Sequence, residues 1–158
     1  MSELNNHKFM RNAIELSVEN IKKGGGPFAA VIVRNGEIVA AAANSVTNDN
    51  DPTAHAEVNA IRLACKKLKT YYLSDCVIYT SCEPCPMCLG AIYWAHIGKV
   101  YYGNNKKDAG NIGFDDSFIY DELEKPIGKR DVEFIQLLPE EAIKAFKEWE
   151  NKDDKKEY

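Results

Sequence analysis

The sequence predicts an α/β fold, a three-layer α-β-α sandwich around a five-stranded mixed sheet, and three observations lead to this prediction. Helical and strand-like segments follow one another in the order α-β-β-α-β-α-β-(α)-β-α, which is typical of layered α/β domains. Asn35-Gly36 joins two apolar segments in the manner of a two-residue hairpin, so at least one strand pair is antiparallel. The 158 residues, 45% of them hydrophobic, suffice for one domain with its own core, and we expect a single domain over residues 1–158.

The predicted elements follow from apolar spacing and from the residues that end helices. The first helix covers 7–22, where Met10, Ile14, Val18 and Ile21 recur at helical spacing before a glycine-rich stop at 24–27. The later elements are, in chain order, the two hairpin strands FAAVIVRN and EIVAAAAN, a helix after Pro52-Thr53 that reaches Leu68, a strand over 75–81, a helix over 86–96, a strand over 99–104, a loop over 104–113, a short helix near 115–124, a fifth strand over 132–137 and a last helix over 139–150.

Composition and charge argue against several classes of partner. The formal net charge is −4, so no overall basic field attracts a nucleic-acid backbone. No apolar run has the length of a membrane span, and the start MSELNNHKFMRN lacks the apolar centre of a signal peptide. Of five cysteines, three lie within residues 82–88, which indicates metal-binding or reactive thiols in a reducing compartment. We therefore expect a cytoplasmic protein that binds neither nucleic acid nor membrane.

Two short motifs predict a metal centre. His55 is expected at the start of the second helix, and Cys85 at the start of the third, with Cys88 on the same helical face. Helix N-termini favour thiolates, and two thiolates with one imidazole suit Zn²⁺ and leave a fourth position for water. With Glu57 and Pro84 the residues complete the pattern H-x-E and P-C-x-x-C, the signature of zinc deaminases.

Glu57 is a weak candidate for a further ligand, because a residue two positions after His55 points elsewhere on a regular helix. Its remaining role is proton transfer between a zinc-activated water and the substrate. Without His55 beside it, the better interpretation of Glu57 would be an ordinary solvated glutamate.

Cys82 supports an alternative of a different class. With His55, Cys85 and Cys88 it could close a four-ligand structural site, which would make the chain a zinc-stapled binding module without chemistry. A domain of this size does not need such a staple, and Cys85 and Cys88 already form a complete pair, so we favour the catalytic interpretation.

Several segments resemble the bacterial guanine deaminases of the cytidine deaminase-like fold. These are DPTAHAEV, YTSCEPCPMCLGAIYWA, GFDDSFIY and the terminal KKEY, and the resemblance extends over nearly the whole chain. It implies hydrolysis of guanine at C2 to xanthine and ammonia, with one zinc ion per subunit held by His55, Cys85 and Cys88. It further implies that Glu57 transfers protons and that Asp116 is a second acid/base group. The residues it places against the purine are Phe28, Asn44, Ala56, Trp94 and Tyr158.

The residues themselves leave other interpretations open for most of these positions. Phe28 and Trp94 could belong to the core. The resemblance instead implies that Phe28 stacks on the purine and that Trp94 lines the pocket. Asn44 could simply end a strand, whereas the resemblance implies that it forms a hydrogen bond with the polar edge of the base. The run Asp115–Ser117 could simply cap a helix.

The resemblance also implies a homodimer that exchanges C-terminal segments, about 139–158, with the tyrosine at the end of the tail closing the active site of the partner. Composition alone predicts a frayed, solvated tail for NKDDKKEY. Tyr158 is the exception there, because it carries both a ring and a terminal carboxylate. A lid of this kind would leave little room for ribose, which favours guanine over guanosine.

Two related activities remain as alternatives. A guanosine deaminase shares much of the pattern, and a transfer-RNA adenosine deaminase also uses H-x-E with P-C-x-x-C. The second must bind a folded polyanion, which the acidic balance of this chain disfavours.

Overall fold

A computed structural model describes residues 3–158 of the chain. Its elements are α1 (Glu3–Lys22), β1 (Ala29–Arg34), β2 (Glu37–Ala43), α2 (Val46–Asp49), α3 (Ala56–Leu68), β3 (Cys76–Cys82), α4 (Pro86–Trp94), β4 (Val100–Asn104), α5 (Lys106–Asn111), α6 (Ser117–Glu124), a 3₁₀ turn (Ile127–Lys129) and α7 (Pro139–Glu150). The elements group into two compact units, one that ends at Ser117 and a second that spans Phe118–Tyr158.

The sheet is mixed and has the strand order β2-β1-β3-β4. Strand β1 runs antiparallel to β2 and to β3, whereas β3 and β4 are parallel and are connected through α4. Asn35 and Gly36 both have positive φ, 52° and 81°, as the predicted two-residue hairpin of type I′ requires. The mixed α/β architecture is thus confirmed.

The predicted fifth strand is wrong. Residues 132–137 form no strand in the described part of the chain, and all of them are exposed. Their alternating apolar and aromatic residues meet the local requirement for a strand. A strand also needs a neighbouring backbone that takes up its N–H and C=O groups, and sequence pattern does not reveal whether one is present. The sheet therefore has four strands.

Helix α1 packs on the sheet through a narrow face. Phe9, Ala13 and two polar residues that follow at helical spacing are buried, whereas Ile14, Val18 and Ile21 are exposed. The Phe9 ring packs on Tyr79 of β3 with ring centroids 5.4 Å apart, and small residues along the same line allow the helix to lie close to the sheet.

The two faces of the sheet carry separate cores. On one face, strand residues pack with the alanines of α3 and with α4, and the buried members include Ala30, Ile32, Ile78, Ala56, Ala60, Ala64 and Ile92. On the other face α1 covers a smaller cluster of Phe9, Ala13, Val31, Val33 and Tyr79. Helices on both faces confirm the three-layer arrangement within the first unit.

The segment predicted as loop, 104–113, contains helix α5. The Asn105 side chain accepts hydrogen bonds from the backbone of Lys107 and Asp108, and the Asp108 carboxylate accepts one from the Asn105 N–H. This reciprocal capping box stabilises a helix of only six residues. The second unit contains α7 with the predicted bounds, and among the described residues no helix is both long and apolar enough to span a bilayer.

Candidate active site

Two helix starts place the predicted ligands. His55 and Cys85 are the N-cap residues of α3 and α4, both with extended backbone (φ −69° and −66°), and Pro86 occupies the first turn of α4 as predicted. Cys88 lies one turn further along α4 and is fully buried. The three side chains therefore meet where two helix N-termini lie together, in a field that stabilises negative charge on sulfur.

The three ligand atoms have the geometry of a zinc site. The His55 Nδ1 lies 3.5 Å from the Cys85 Sγ and 3.5 Å from the Cys88 Sγ, and all three atoms fall within 4.8 Å of one another. Bond lengths of about 2.0 Å to nitrogen and about 2.3 Å to sulfur at tetrahedral angles require an N···S separation of about 3.5 Å. The imidazole and the two thiols thus fit tetrahedral Zn²⁺ with one position left for a further ligand.

The two thiols differ in acidity. A hydrogen bond from Cys88 and the neighbouring His55 lower the pKa of Cys85 to about 4, so Cys85 is a thiolate at neutral pH. The Cys85 thiolate, burial and the nearby Glu57 carboxyl raise the pKa of Cys88. The bond to Cys85 in turn raises the pKa of His55. Binding of zinc at this site therefore displaces the proton that Cys88 holds in the metal-free chain.

Cys82 does not join this group of ligand atoms within the described residues. Its Sγ lies 3.8 Å from the carbonyl oxygen of Asn105, to which the thiol donates. Burial raises the pKa of Cys82 to about 11, which keeps it a neutral thiol. The geometry thus favours the open three-ligand centre over the closed four-ligand alternative.

Glu57 is held beside the metal ligands and away from bulk water. Its side chain is 6% exposed, its Oε2 accepts from the Cys88 Sγ at 3.4 Å, and its Oε1 lies 3.3 Å from the Thr80 hydroxyl. Thr80 itself donates to the backbone carbonyl of Cys82 at 2.9 Å. Burial raises the pKa of Glu57, which suits a carboxyl group that must both accept and return a proton near neutral pH.

A cavity of about 380 Å³ opens beside Glu57. The predicted residues that line it are Phe28, Asn44, His55, Glu57, Cys85 and Asp116. Phe28 meets the unpredicted Phe114 edge to face, with ring centroids 4.9 Å apart. The Asn44 Oδ1 accepts from the Val46 N–H at 3.3 Å, which leaves the side-chain NH₂ group as a donor. The cavity therefore combines an aromatic wall with a few polar groups, as small-molecule sites do.

The neighbouring residues Asp115 and Asp116 have different roles. Asp115 accepts a hydrogen bond from the Ser117 N–H at 2.9 Å, which lowers its pKa and corresponds to the helix-cap interpretation. Asp116 lines the cavity, and burial together with the negative Cys85 raises its pKa. The structure thus brings Asp116 to the site and uses Asp115 as the cap.

Two of the predicted substrate residues, Ala56 and Trp94, do not line this cavity, and a third belongs to the second unit. Trp94 is 67% exposed and ends α4, whose nine residues extend about 13 Å from the metal ligands at its start. Ala56 is fully buried between His55 and Glu57. Tyr158 belongs to the second unit and is 74% exposed. Their roles towards the substrate stay predictions.

Sequence reasoning missed several residues of this site, among them Thr47 and Lys106 on the cavity wall as well as Phe114 and Thr80. Phe114 directly precedes the aspartate pair in GFDDSF, so its position next to a predicted site residue was an available signal. Thr80 lies in a buried strand, where a threonine is ordinary, and only the folded structure shows that its hydroxyl faces Glu57.

Comparison with known proteins agrees with this geometry. Residues 4–104 match the family described as the cytidine and deoxycytidylate deaminase zinc-binding region. The chain belongs to this deaminase family. Its three-ligand centre is accordingly a zinc site, and the predicted fold, zinc cofactor and hydrolase class are confirmed.

A curated relative and a solved structure share about half of their residues with this chain. The chain is 53% identical to the guanine deaminase of Bacillus subtilis (strain 168), over 98% of this chain and 100% of that protein. An X-ray structure of the guanine deaminase from Bacillus subtilis superimposes with a TM-score of 0.94 at 52% identity, and covers 100% of this chain and 99% of that one.

Other members of the family are more distant. A tRNA-specific adenosine deaminase of Aquifex aeolicus (strain VF5) is 36% identical over 89% of this chain and 91% of that protein. A mutant of NE0047 in complex with 8-azaguanine has a TM-score of 0.68 at 38% identity, and covers 70% of this chain and 65% of that one.

Proposed function

We propose that this protein hydrolyses guanine to xanthine and ammonia. The observation that carries the proposal is a three-ligand zinc centre that adjoins a cavity also lined by Glu57, Asn44 and Asp116. The 53% identity to a guanine deaminase over nearly the full chain supports guanine as the substrate. Reduced cysteines support a cytoplasmic location.

Zinc held by His55, Cys85 and Cys88 supplies a Lewis acid that activates water for attack on the substrate. The Glu57 carboxylate takes a proton from the attacking water and returns it to the amino group that leaves as ammonia. Its burial keeps bulk water away from that proton, and the Thr80 hydroxyl lies 3.3 Å from one of its carboxyl oxygens. Asp116 is the second carboxyl group on the cavity and acts near the departing amino group.

Recognition of the base falls to the aromatic wall and the polar groups of the cavity. Phe28 and Phe114 offer a ring pair against which a flat purine can lie. The Asn44 NH₂ group can donate to an acceptor on the purine, and Asp116 can accept from the N–H groups that guanine has and adenine lacks. Ala56 and Trp94, which do not line this cavity, are proposed as further substrate residues on the resemblance alone.

The second unit supports a homodimer that exchanges C-terminal segments, about 139–158. One face of α7 presents Ile143, Phe146 and Trp149 to solvent, and the segment before it exposes Ile135 and Leu137. Exposed apolar surface of this kind is typical of an interface with another subunit. Tyr158 would reach the site of the partner subunit and close it over guanine, where a ribose would not fit.

The first prediction concerns the substrate. Initial rates of ammonia release, measured on guanine, guanosine, adenine and cytosine, should be at least about 10³ times higher on guanine than on adenine or cytosine, because unpaired polar groups in the site penalise bases without matching donors. Faster turnover of guanosine than of guanine would instead identify a nucleoside deaminase. Turnover of adenosine in a transfer-RNA stem-loop but not of guanine would identify a nucleic-acid enzyme.

A further inference from the structure

A buried amide near the end of α1 lies outside the site described above and contacts two segments that form it. The Asn20 side chain is 7% exposed, and its Nδ2 donates to the carbonyl oxygens of Gly26 and Asn44, each at 2.8 Å. The Asn20 backbone carbonyl also accepts from the Gly25 N–H at 3.0 Å. One residue thus binds the glycine-rich loop at two points and the end of β2 at a third.

The loop fits closely around this amide. A Cβ atom on Gly25 would collide with the Asn20 Nδ2 and would lie 2.8 Å from the carbonyl oxygen of Asn44. A Cβ atom on Gly26 would lie 3.3 Å from the Asn44 Oδ1. The absence of side chains at both positions therefore permits the contact between loop, amide and strand end.

The two segments held by Asn20 carry the aromatic and the polar residue of the cavity. Phe28 follows Gly26 by two residues, and its N–H donates to the Gly26 carbonyl at 2.9 Å. The Phe28 carbonyl in turn accepts from the Asn44 N–H at 2.9 Å. The hydrogen bonds from Asn20 therefore connect the loop before Phe28 to the backbone of Asn44.

A second amide holds the strand end independently. The Asn59 Nδ2 on α3 lies 3.1 Å from the Ala43 carbonyl and 3.3 Å from the Ala54 carbonyl, the neighbours of Asn44 and His55. Loss of Asn20 would accordingly leave Asn44 close to its place and leave the metal helix unaffected. What it would release is the loop that leads to Phe28.

We propose that Asn20 is a positioning residue for the purine, which holds the loop that leads to Phe28 against the end of β2 without touching substrate or metal. This inference rests on the proposed function, because it takes Phe28 and Asn44 as the residues that bind the base. It assigns Asn20 to substrate affinity and not to the chemical step, since neither Glu57 nor a zinc ligand is bonded to it.

The test compares steady-state kinetics of zinc-loaded Asn20→Ala with wild type. We expect KM for guanine to rise at least about tenfold, because the buried Asn44 carbonyl loses its side-chain donor and the Gly26 carbonyl keeps only the Phe28 N–H, so the loop is held less firmly. We expect kcat to stay within about threefold and zinc content to stay unchanged. Asn20→Asp keeps the shape but removes the NH₂ donor, so its KM should rise at least as far.

Matched control variants distinguish a role in positioning the purine from a general loss of protein stability. Ser17 is as buried as Asn20, but its hydroxyl donates only to the Ile14 carbonyl of the same helix. Ser17→Ala should therefore leave KM unchanged. Gly25→Ala meets the same amide from the loop side and should raise KM as Asn20→Ala does, whereas a Cβ atom on Gly98 enters open space and Gly98→Ala should have no effect.

Hydrogen exchange of the metal-loaded protein provides a readout without substrate. In Asn20→Ala, amide exchange in residues 24–28 should accelerate at least about tenfold while exchange at the start of α3 stays the same. Unchanged KM and unchanged loop exchange in Asn20→Ala would overturn the proposal, as would an equal rise of KM in Ser17→Ala. If Asn20→Ala does not fold, Gly25→Ala decides, and a KM equal to wild type overturns it.

Failure of the proposed function would give a different pattern. A wild-type protein inactive on guanine but active on another base overturns the substrate assignment alone. The variants are then compared on that base, and the exchange measurement stands as it is.

Discussion

Replacing Glu57 by glutamine should lower kcat on guanine by about 10² to 10⁴-fold while the protein retains about one zinc ion per chain. Glutamine keeps the size and hydrogen-bonding length of the side chain but cannot take a proton from water. Glu57 is buried near Thr80, and its carboxyl group accepts a hydrogen bond from the metal ligand Cys88. The measurement is kcat together with metal content by atomic spectroscopy.

Cys82→Ala is the matched control for this variant. Its thiol lines the same cavity but lies outside the ligand group, so the alanine variant should retain zinc and most of the activity. Loss of zinc in Cys82→Ala, combined with normal activity in Glu57→Gln, would mean that the centre is a closed structural site.

Deletion of residues 154–158 should lower kcat/KM for guanine about tenfold or more, because the site then stays open to water during the reaction. Zinc content and melting temperature should change little, since these residues are exposed and only the charged and aromatic end is removed. Tyr158→Ala in the full chain should reproduce most of the loss, whereas Lys156→Ala should not. A truncated protein as fast as the full chain would contradict the lid.

A mixture of two impaired variants tests whether the tail serves the partner subunit. Full-length Glu57→Gln contributes a tail, and the truncated chain contributes an intact Glu57. In a dimer that exchanges tails, the hybrid has one complete site, and activity should rise well above the sum of the two variants after co-refolding. No recovery would mean that each tail serves its own subunit, and a monomer in light scattering would contradict the dimer.

The metal centre could be predicted because its chemistry is local in sequence. His55 and Glu57 are two positions apart, and Cys85 and Cys88 are one helical turn apart. Each pair begins at a helix N-terminus, which Pro52-Thr53 or Pro86 indicates in the sequence. Folding therefore only has to bring two helix N-termini together. The hairpin at Asn35-Gly36 was predictable for the same reason, since its turn depends on two adjacent residues.

Features that depend on distant parts of the chain were not predictable. Residues 132–137 have the composition of a strand, but a strand requires a partner, and no local pattern specifies one. The buried face of α1 is selected by Tyr79 and its neighbours on the sheet, which favour Phe9 and Ala13 over the more apolar Ile14 and Val18. Asn20 was similarly hidden, because its carbonyl partners are 6 and 24 residues away.

The reaction proposed for this protein is hydrolysis of guanine at C2, in the cavity beside His55, Cys85 and Cys88. Incubation of the zinc-loaded protein with guanine in ¹⁸O-labelled water, followed by mass spectrometry of the product and an ammonia assay, tests it most directly. We expect xanthine that contains one heavy oxygen at C2 and one equivalent of ammonia, with neither product formed at a comparable rate by Glu57→Gln. Guanine that is recovered unchanged, or labelled product formed equally fast by Glu57→Gln, would contradict it.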